Sequence, residues 1–367
     1  MCILEDIPFW LRIIYRLHGI INFSCSTSGS FYSRCFTRLC CVPILAFYTY
    51  CCSMWLVRRI NGSNTTVDKI DLIVSSVGVL STTVSLLTFI LRSNRLKFFL
   101  LQLNELKLNY NRKLKNDYLK NSVFVVTALL WSFLLVFPRT FVSVAYYVLP
   151  AVIGLFDHLF LSEILEFVRL ELVLINEELH RKATGMLSIR TTSIKNTVIH
   201  DLKDKEIYFI LARIEEITLR HSDLVVLALD INKLFDITTI SSMITWLVYV
   251  VDAIYYLIHI ADISFFDLIF TCLYALLFFL WLPVMARTYR LARKEVNQTS
   301  EFVHDIWNQR CQTGNLGKTM LHLQLVSVRL FSNKLCFTAG NFFNLDETFC
   351  HIMVGAAATY VVILLQF

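Results

Sequence analysis

Seven stretches of this chain contain no Lys or Arg: 39–57, 70–91, 122–137, 145–162, 238–258, 264–286 and 345–366. Each comes close to the length a helix needs to cross a bilayer, about 20 mostly apolar residues. In hydrocarbon every backbone polar group must be satisfied internally, which leaves the helix as the natural element for such segments. The pattern predicts an all-α membrane protein with seven transmembrane helices. The third stretch is short, and Pro138 with Arg139 marks its end. Composition agrees, because 56 % of residues are hydrophobic and only 17 % are charged, too few charges to cover a soluble protein of this size. With 5 Pro and 10 Gly in 367 residues, loops and sheet corners have little raw material.

The basic residues between the stretches orient the bundle. Segments 1–38, 92–121, 163–237 and 287–344 hold 4, 8, 10 and 8 of them. The intervening segments 58–69 and 138–144 hold 3 and 1, and 259–263 and the C-terminal end hold none. Thus 30 of the 34 Lys and Arg fall on one side of the alternation. Basic residues stay on the cytoplasmic side because translocating them is costly. The N-terminus is therefore expected inside and the C-terminus outside. Two glycosylation sequons, at Asn61 and Asn64, fall in the first outer loop, in agreement. Those at Asn22 and Asn297 fall on the inner side and are expected to be silent.

This orientation divides the chain into a cytoplasmic segment 1–38, helices one to four over 39–162, a cytoplasmic segment 163–237, helices five and six over 238–286, a second cytoplasmic segment 287–344, and a last helix over 345–367. Residues 163–183 read as a continuation of the fourth helix beyond the hydrocarbon. Residues 205–236 carry an apolar stripe at alternating steps of three and four, Ile207, Ile210, Ile214, Ile217, His221, Leu224, Ala228, Ile231 and Phe235. That spacing is the signature of a helix with a packing partner. The cytoplasmic side is thus expected to carry a helical subdomain. The Asn, Ser and Thr of 184–200 read as a loop. No internal repeat is visible.

Most candidate chemistry fails on inspection. Gly314, Gly317, Lys318 and Thr319 resemble the end of a phosphate-binding loop, but Gln312 stands where the motif needs Gly, and no strand precedes it. No His or Cys pair has metal-site spacing, and no nucleophile elbow or kinase motif occurs. No enzymatic activity, cofactor or metal is expected. The net charge of +6 comes from blocks between apolar runs and not from a basic stripe with exposed aromatics, so nucleic acid is not an expected partner. The 11 Cys, several inside apolar stretches, read as small packing residues. The first apolar residues are broken by Glu5, Asp6, Arg12 and Arg16, so no cleavable signal is expected.

Ionisable groups inside spans are costly and usually face the bundle interior. Asp157 and His158 lie deep in the fourth helix, and Asp252 lies in the outer half of the fifth with Tyr249, Tyr255 and Tyr256. Trp131, Tyr146 and Tyr147 fall at comparable depth. Aromatics with a few polar groups suit a small amphipathic ligand, and interhelical packing with an interfacial aromatic belt gives the same composition.

The last helix begins with small residues, Gly355 to Ala358, and ends Thr359-Tyr360-Val361-Val362-Ile363-Leu364-Leu365-Gln366-Phe367. Thr359 and Gln366 are two turns apart and share a face, with Tyr360, Ile363 and Phe367 on or beside it. Four copies around an axis would make a ring of amides beside rings of Ile and Phe, a constriction able to gate by dewetting. Burial of the stripe against another helix is the competing reading.

That C-terminal string, Thr-Tyr, five hydrophobics, Gln-Phe, resembles the signature of the insect gustatory receptors, within the insect chemoreceptor superfamily. The approach to it, from Phe337 to Asp346 through Gly340, Phe343 and Leu345, is similar to that family's re-entry into the seventh helix. The resemblance implies a seven-transmembrane, ligand-gated, non-selective cation channel for a small-molecule tastant. It implies a tetramer, with itself or with other gustatory-receptor subunits, in the plasma membrane of gustatory sensory neurons. It further implies a cytoplasmic anchor formed by 163–237 and 287–344, a gate at Ile363 and Phe367, a polar pore ring at Gln366, and a ligand pocket in the outer half of helices two to six. A receptor coupled to G proteins has its N-terminus outside, which would put 30 basic residues outside. A small-molecule transporter should carry repeat symmetry and broken helices, and neither is evident.

Overall fold

The computed structural model describes residues 66–106, 149–191, 198–259, 265–311, 318–332 and 335–366, with seven separate positions between 46 and 60. The expected spans 39–57, apart from those positions, and 122–137 lie outside the described residues, as do Asn61, Asn64, Trp131, Tyr146, Tyr147 and Phe367. The described elements are helices α1 (Thr66–Leu106), α2 (Leu149–Thr191), α3 (Val198–His259), α4 (Phe265–Cys311) and α5 (Lys318–Ser332), strands β1 (Thr338–Ala339) and β2 (Phe343–Asn344), and helix α6 (Glu347–Leu364).

Length separates these helices. At 62 residues, α3 extends about 93 Å at ~1.5 Å per residue, roughly three times the ~30 Å of a bilayer's hydrocarbon. The other helices of the main bundle, α1, α2 and α4, with 41, 43 and 47 residues, also run about twice that thickness. Among the described helices, α6, with 18 residues or about 27 Å, and α5, with 15, are no longer than a membrane is thick. Four of the described helices, α1, α3, α4 and α6, are long and apolar enough to cross one.

Two expectations about boundaries change. Residues 184–200 do not form one loop: α2 continues to Thr191 and α3 begins at Val198. Adding a residue to a helix already nucleated costs little, so polar composition does not stop α2. Nor is there a break near 237, because the stripe and the following apolar stretch are one helix. Along it Ile214, Ile217, His221, Leu224, Ala228, Ile231 and Phe235 are all buried, as their spacing predicts.

Side-chain partners give the helix directions. Going along α2 from Gly154 to Glu178, the α3 partner falls from Ser242 to Arg213, so α2 and α3 are antiparallel. The α4 partners of α2 rise instead, from Trp281 facing His158 through Thr288 at Ser162 to Glu295 and Thr299 at Asn176. On α1, Ser85 meets Asp157, and Arg92 donates to the Lys233 and Leu234 carbonyls of α3, so α1 runs with α2. Leu282 and Arg290 of α4 meet Cys350 and Glu347 of α6, so α6 runs with α3.

These directions bring the Lys- and Arg-free parts of α1, α2, α3, α4 and α6 to one end of the bundle. The other end holds the ionic contacts. Arg213 bonds Glu178 and Glu216, Arg220 bonds Glu216, and Arg169 bonds Glu166 and approaches Glu295. Asn176 adds a buried polar link, donating to the Glu295 carbonyl at 3.0 Å and accepting from Thr299 at 2.5 Å. Such segregation is what a bundle half in hydrocarbon and half in water requires.

Candidate functional site

Where the Lys- and Arg-free ends of α1 to α4 meet, the core is polar. Gly154 lets α3 approach α2, since a Cβ there would lie 3.1 Å from the Ser242 hydroxyl and 3.8 Å from Trp246 Nε1. One turn on, Asp157 is fully buried and accepts a hydrogen bond from the Ser85 hydroxyl. His158 Nδ1 donates back to the Gly154 carbonyl at 2.6 Å, which leaves Nε2 as the free acceptor of a neutral ring. The imidazole lies 4.9 Å from the Trp281 ring, edge to face, and 5.7 Å from that of Trp246. The two indoles cross edge to face, and Phe278 packs against both Trp246 and Tyr249.

Four buried atoms of this cluster have no hydrogen-bond partner: Asp157 Oδ1, His158 Nε2, Ser242 Oγ and Trp281 Nε1. Each such atom costs about 1–3 kcal/mol, and native proteins usually satisfy them with water or a ligand. The cluster therefore presents two acceptors and two donors inside an aromatic frame. Ser85, Asp157 and His158 are the residue types of a hydrolytic triad, but the serine bonds the carboxylate directly and the imidazole bonds backbone. That arrangement cannot pass a proton from serine to histidine. Among the described residues, no group of three His, Cys, Asp or Glu could hold a metal ion.

Of the residues singled out from sequence, the structure joins Asp157 and His158 directly and brings Tyr249 to the same aromatic frame through Phe278. Asp252, Tyr255 and Tyr256 lie three to seven residues further along α3 and are half-buried. Ser85, Ser242, Trp246 and Trp281 were not anticipated. Their signal was available in part, since Ser and Trp inside apolar stretches carry polar atoms that need partners.

A second region lies beside the first. Trp246, Phe278, Leu282, Met353 and Ala357 line an apolar cavity of about 170 Å³ between α3, α4 and α6. Trp246 thus touches the polar cluster on one side and faces the last helix on the other. That helix is nearly bare: only Phe349 and Ala357 are buried. Thr359, Ile363 and Gln366 are exposed, as is Tyr360, the first two within the helix and Gln366 just past its last residue. Nothing lies within 4 Å of where a Cβ on Gly355 would sit.

The base of α6 is fixed by a clasp. Asp346 caps it, accepting from the Thr348 and Phe349 amides. Before it, β1 and β2 pair antiparallel with Thr338 opposite Asn344. Gly340 (φ 56°) and Asn341 (φ 61°) are left-handed at the turn, the residue types that tolerate that conformation. Asp236 Oδ1 accepts from the Gly340 amide at 3.2 Å, and Asn232 donates to the Thr338 carbonyl at 2.8 Å. A Cβ at Gly340 would come within 2.3 Å of Ile240 Cδ1. Tyr289 of α4 packs on Phe337 with ring centroids 5.0 Å apart. The hairpin is thus tied to the same two helices that carry Trp246 and Trp281.

Comparison with known proteins agrees with this geometry. The fold is similar to that of the insect olfactory receptor OR5 of Machilis hrabei, with a TM-score of 0.70 at 15 % identity, 97 % of each chain being covered. Its structure in complex with eugenol matches with a TM-score of 0.67 at 14 % identity over the same shares. No curated protein sequence matches the chain. The profile of the 7tm chemosensory receptors, a family of chemoreceptors and not of enzymes, matches residues 11–367. A multi-pass helical chain with this fold and this match belongs to the 7tm chemosensory receptor family.

Proposed function

We propose that the chain is a gustatory-type receptor acting as a ligand-gated, non-selective cation channel. In this reading the bundle crosses the plasma membrane of a gustatory sensory neuron seven times, with the N-terminus cytoplasmic and the C-terminus extracellular. Four subunits, identical or mixed with other gustatory-receptor subunits, surround an ion path. Segments 163–237 and 287–344 form the cytoplasmic anchor that holds them. The observation that carries the proposal is α6, a helix of bilayer length that, with the turn after it, leaves Thr359, Ile363 and Gln366 exposed. Within the stripe, Ile363 and Phe367 act as the hydrophobic gate, Gln366 as the polar ring, and Thr359 and Tyr360 as their neighbours.

The ligand side rests on Asp157, His158 and Tyr249 with Ser85, Ser242, Trp246 and Trp281. Asp252, Tyr255, Tyr256, Trp131, Tyr146 and Tyr147 complete the expected pocket towards the outer surface. A small amphipathic tastant supplies the missing hydrogen bonds while its apolar part rests against indole. Movement of Trp246 and Trp281 reaches α6 directly and through the Asp236–Gly340 clasp.

The test is whole-cell current from cells expressing the chain, alone and with candidate co-receptors, against a panel of sugars, amino acids and bitter compounds. Ligand-evoked cation current is the expected result. Its presence with a shifted permeability ratio in Gln366→Glu supports the pore assignment, and unaltered ratios exclude Gln366 from the path. Asp157→Asn and Asp252→Asn are expected to weaken the dose–response by about tenfold or more, the loss of a hydrogen bond to a charged group. Unshifted responses in both would remove the pocket.

A further inference from the structure

Far from the aromatic cluster, α5 packs across α4 and α3 and leaves a second cavity of about 170 Å³. Its α3 wall lies some 17 residues before the stretch 238–258, about 25 Å along the helix, at the end of the bundle that holds the ion pairs. Unlike the apolar cavity beside α6, this one has polar equipment. His221 is 2 % exposed and lines it; one side of its ring faces the Val296 backbone of α4, which leaves the other ring nitrogen without a hydrogen-bond partner. Ser222 lies next to it. At the rim Arg329 of α5 is exposed and forms no ion pair with any described residue. The walls are aliphatic, with Leu219 and Val225 from α3 and Leu325 and Leu330 from α5.

The electrostatics have one opposing feature. Glu215 also lines the rim, and its backbone carbonyl accepts from Thr218 at 2.8 Å. A dication would leave two cations beside each other at Arg329, and a dianion would crowd Glu215. A single negative charge suits the rim. An apolar body of modest size suits the walls. A hydroxyl at the far end of that body suits His221, since a neutral imidazole whose N–H faces the Val296 carbonyl keeps one acceptor nitrogen.

We infer that the cavity between α3 and α5 is a second ligand site, separate from the aromatic cluster, which takes a small monoanionic amphiphile with its charge at Arg329 and a polar group at His221. A buried histidine with an unsatisfied ring nitrogen, in a cavity large enough for a single aromatic ring, is the observation that carries it. Water alone would satisfy His221 but would leave unused the aliphatic walls and a guanidinium that has no ion pair among the described residues.

The experiment is equilibrium dialysis of 4-hydroxybenzoate with the purified full-length receptor in nanodiscs, against empty nanodiscs. The expected result is saturable, stoichiometric uptake by the receptor. Benzoate, which lacks the hydroxyl, and methyl 4-hydroxybenzoate, which lacks the charge, should each bind about tenfold more weakly, since each leaves one polar group of the site unpaired. Arg329→Gln should weaken binding by about tenfold, as loss of a charged hydrogen bond. Leu219→Trp, which fills the cavity from an exposed position, should abolish it. Both substitutions lie on the surface and leave the core intact, so they remain informative if His221→Asn does not fold. Uptake equal in wild type, Arg329→Gln and Leu219→Trp would overturn the assignment, as would no saturable uptake by wild type. Uptake that survives these changes but is lost in Trp281→Phe would move the ligand to the aromatic cluster.

Discussion

Helices α3 and α6 run in the same direction and are both strongly apolar, yet they spend their apolar surface differently. Along α3 a full stripe from Ile214 to Phe235 is buried against α1, α2 and α4. Along α6 Ile352, Val354 and Val362 are each more than half exposed, and only two residues are buried. A helix whose face is covered by its own chain is a structural element. One that leaves an apolar surface with a polar stripe uncovered has its partners elsewhere, in lipid, in other subunits or in the water of a pore. The same composition therefore serves two purposes, and only the packing tells them apart.

Substitutions can break or sharpen that contrast. The largest effect is expected at Ile231, where Ile231→Ala should cost about 2–5 kcal/mol, the range for emptying a fully packed site. Ile352→Ala on α6 should change stability by less than ~0.5 kcal/mol. Thermal unfolding of the solubilised subunit measures both, and comparable losses would mean that α6 is packed within its own chain after all. Gly340→Ala comes next, at about 1–3 kcal/mol, because the left-handed backbone and the Ile240 contact both oppose a Cβ. It should reduce ligand-evoked current more than surface expression if the clasp couples α3 to α6. Asn232→Ala removes the bond to the Thr338 carbonyl and should cost about 1 kcal/mol. The smallest effect belongs to Arg290→Gln, since the Arg290–Glu347 pair has both side chains more than half exposed. Under ~1 kcal/mol is expected there, and a larger loss that persists at high salt would mean the pair is covered in the assembly.

How much of this was legible beforehand depends on range. The stripe of α3 was readable because helical periodicity is local, and the last helix, free of Lys and Arg, was readable for the same reason. Arg and Lys placement, which also acts segment by segment, foretold that the Lys- and Arg-free parts of the helices gather at one end of the bundle. The polar cluster was half legible: Asp157 and His158 draw notice as ionisable residues in an apolar stretch. Ser242 and Trp281 do not, because what sets them apart is the lack of a partner, which exists only once four helices have met. The hairpin was hidden further. Gly340 and Asn341 mark a turn, but nothing local says that Asp236, more than a hundred residues earlier, receives its amide.

The central claim is that the bare stripe of α6 borders water. Modification of Thr359→Cys, Ile363→Cys and Gln366→Cys by a charged, membrane-impermeant thiol reagent, read as block of ligand-evoked current, tests it most directly, with Ala357→Cys as the buried control. The account predicts rapid block at the three stripe positions, faster with ligand present, and none at Ala357. Equal indifference of all four positions in a conducting receptor would put the ion path somewhere other than α6.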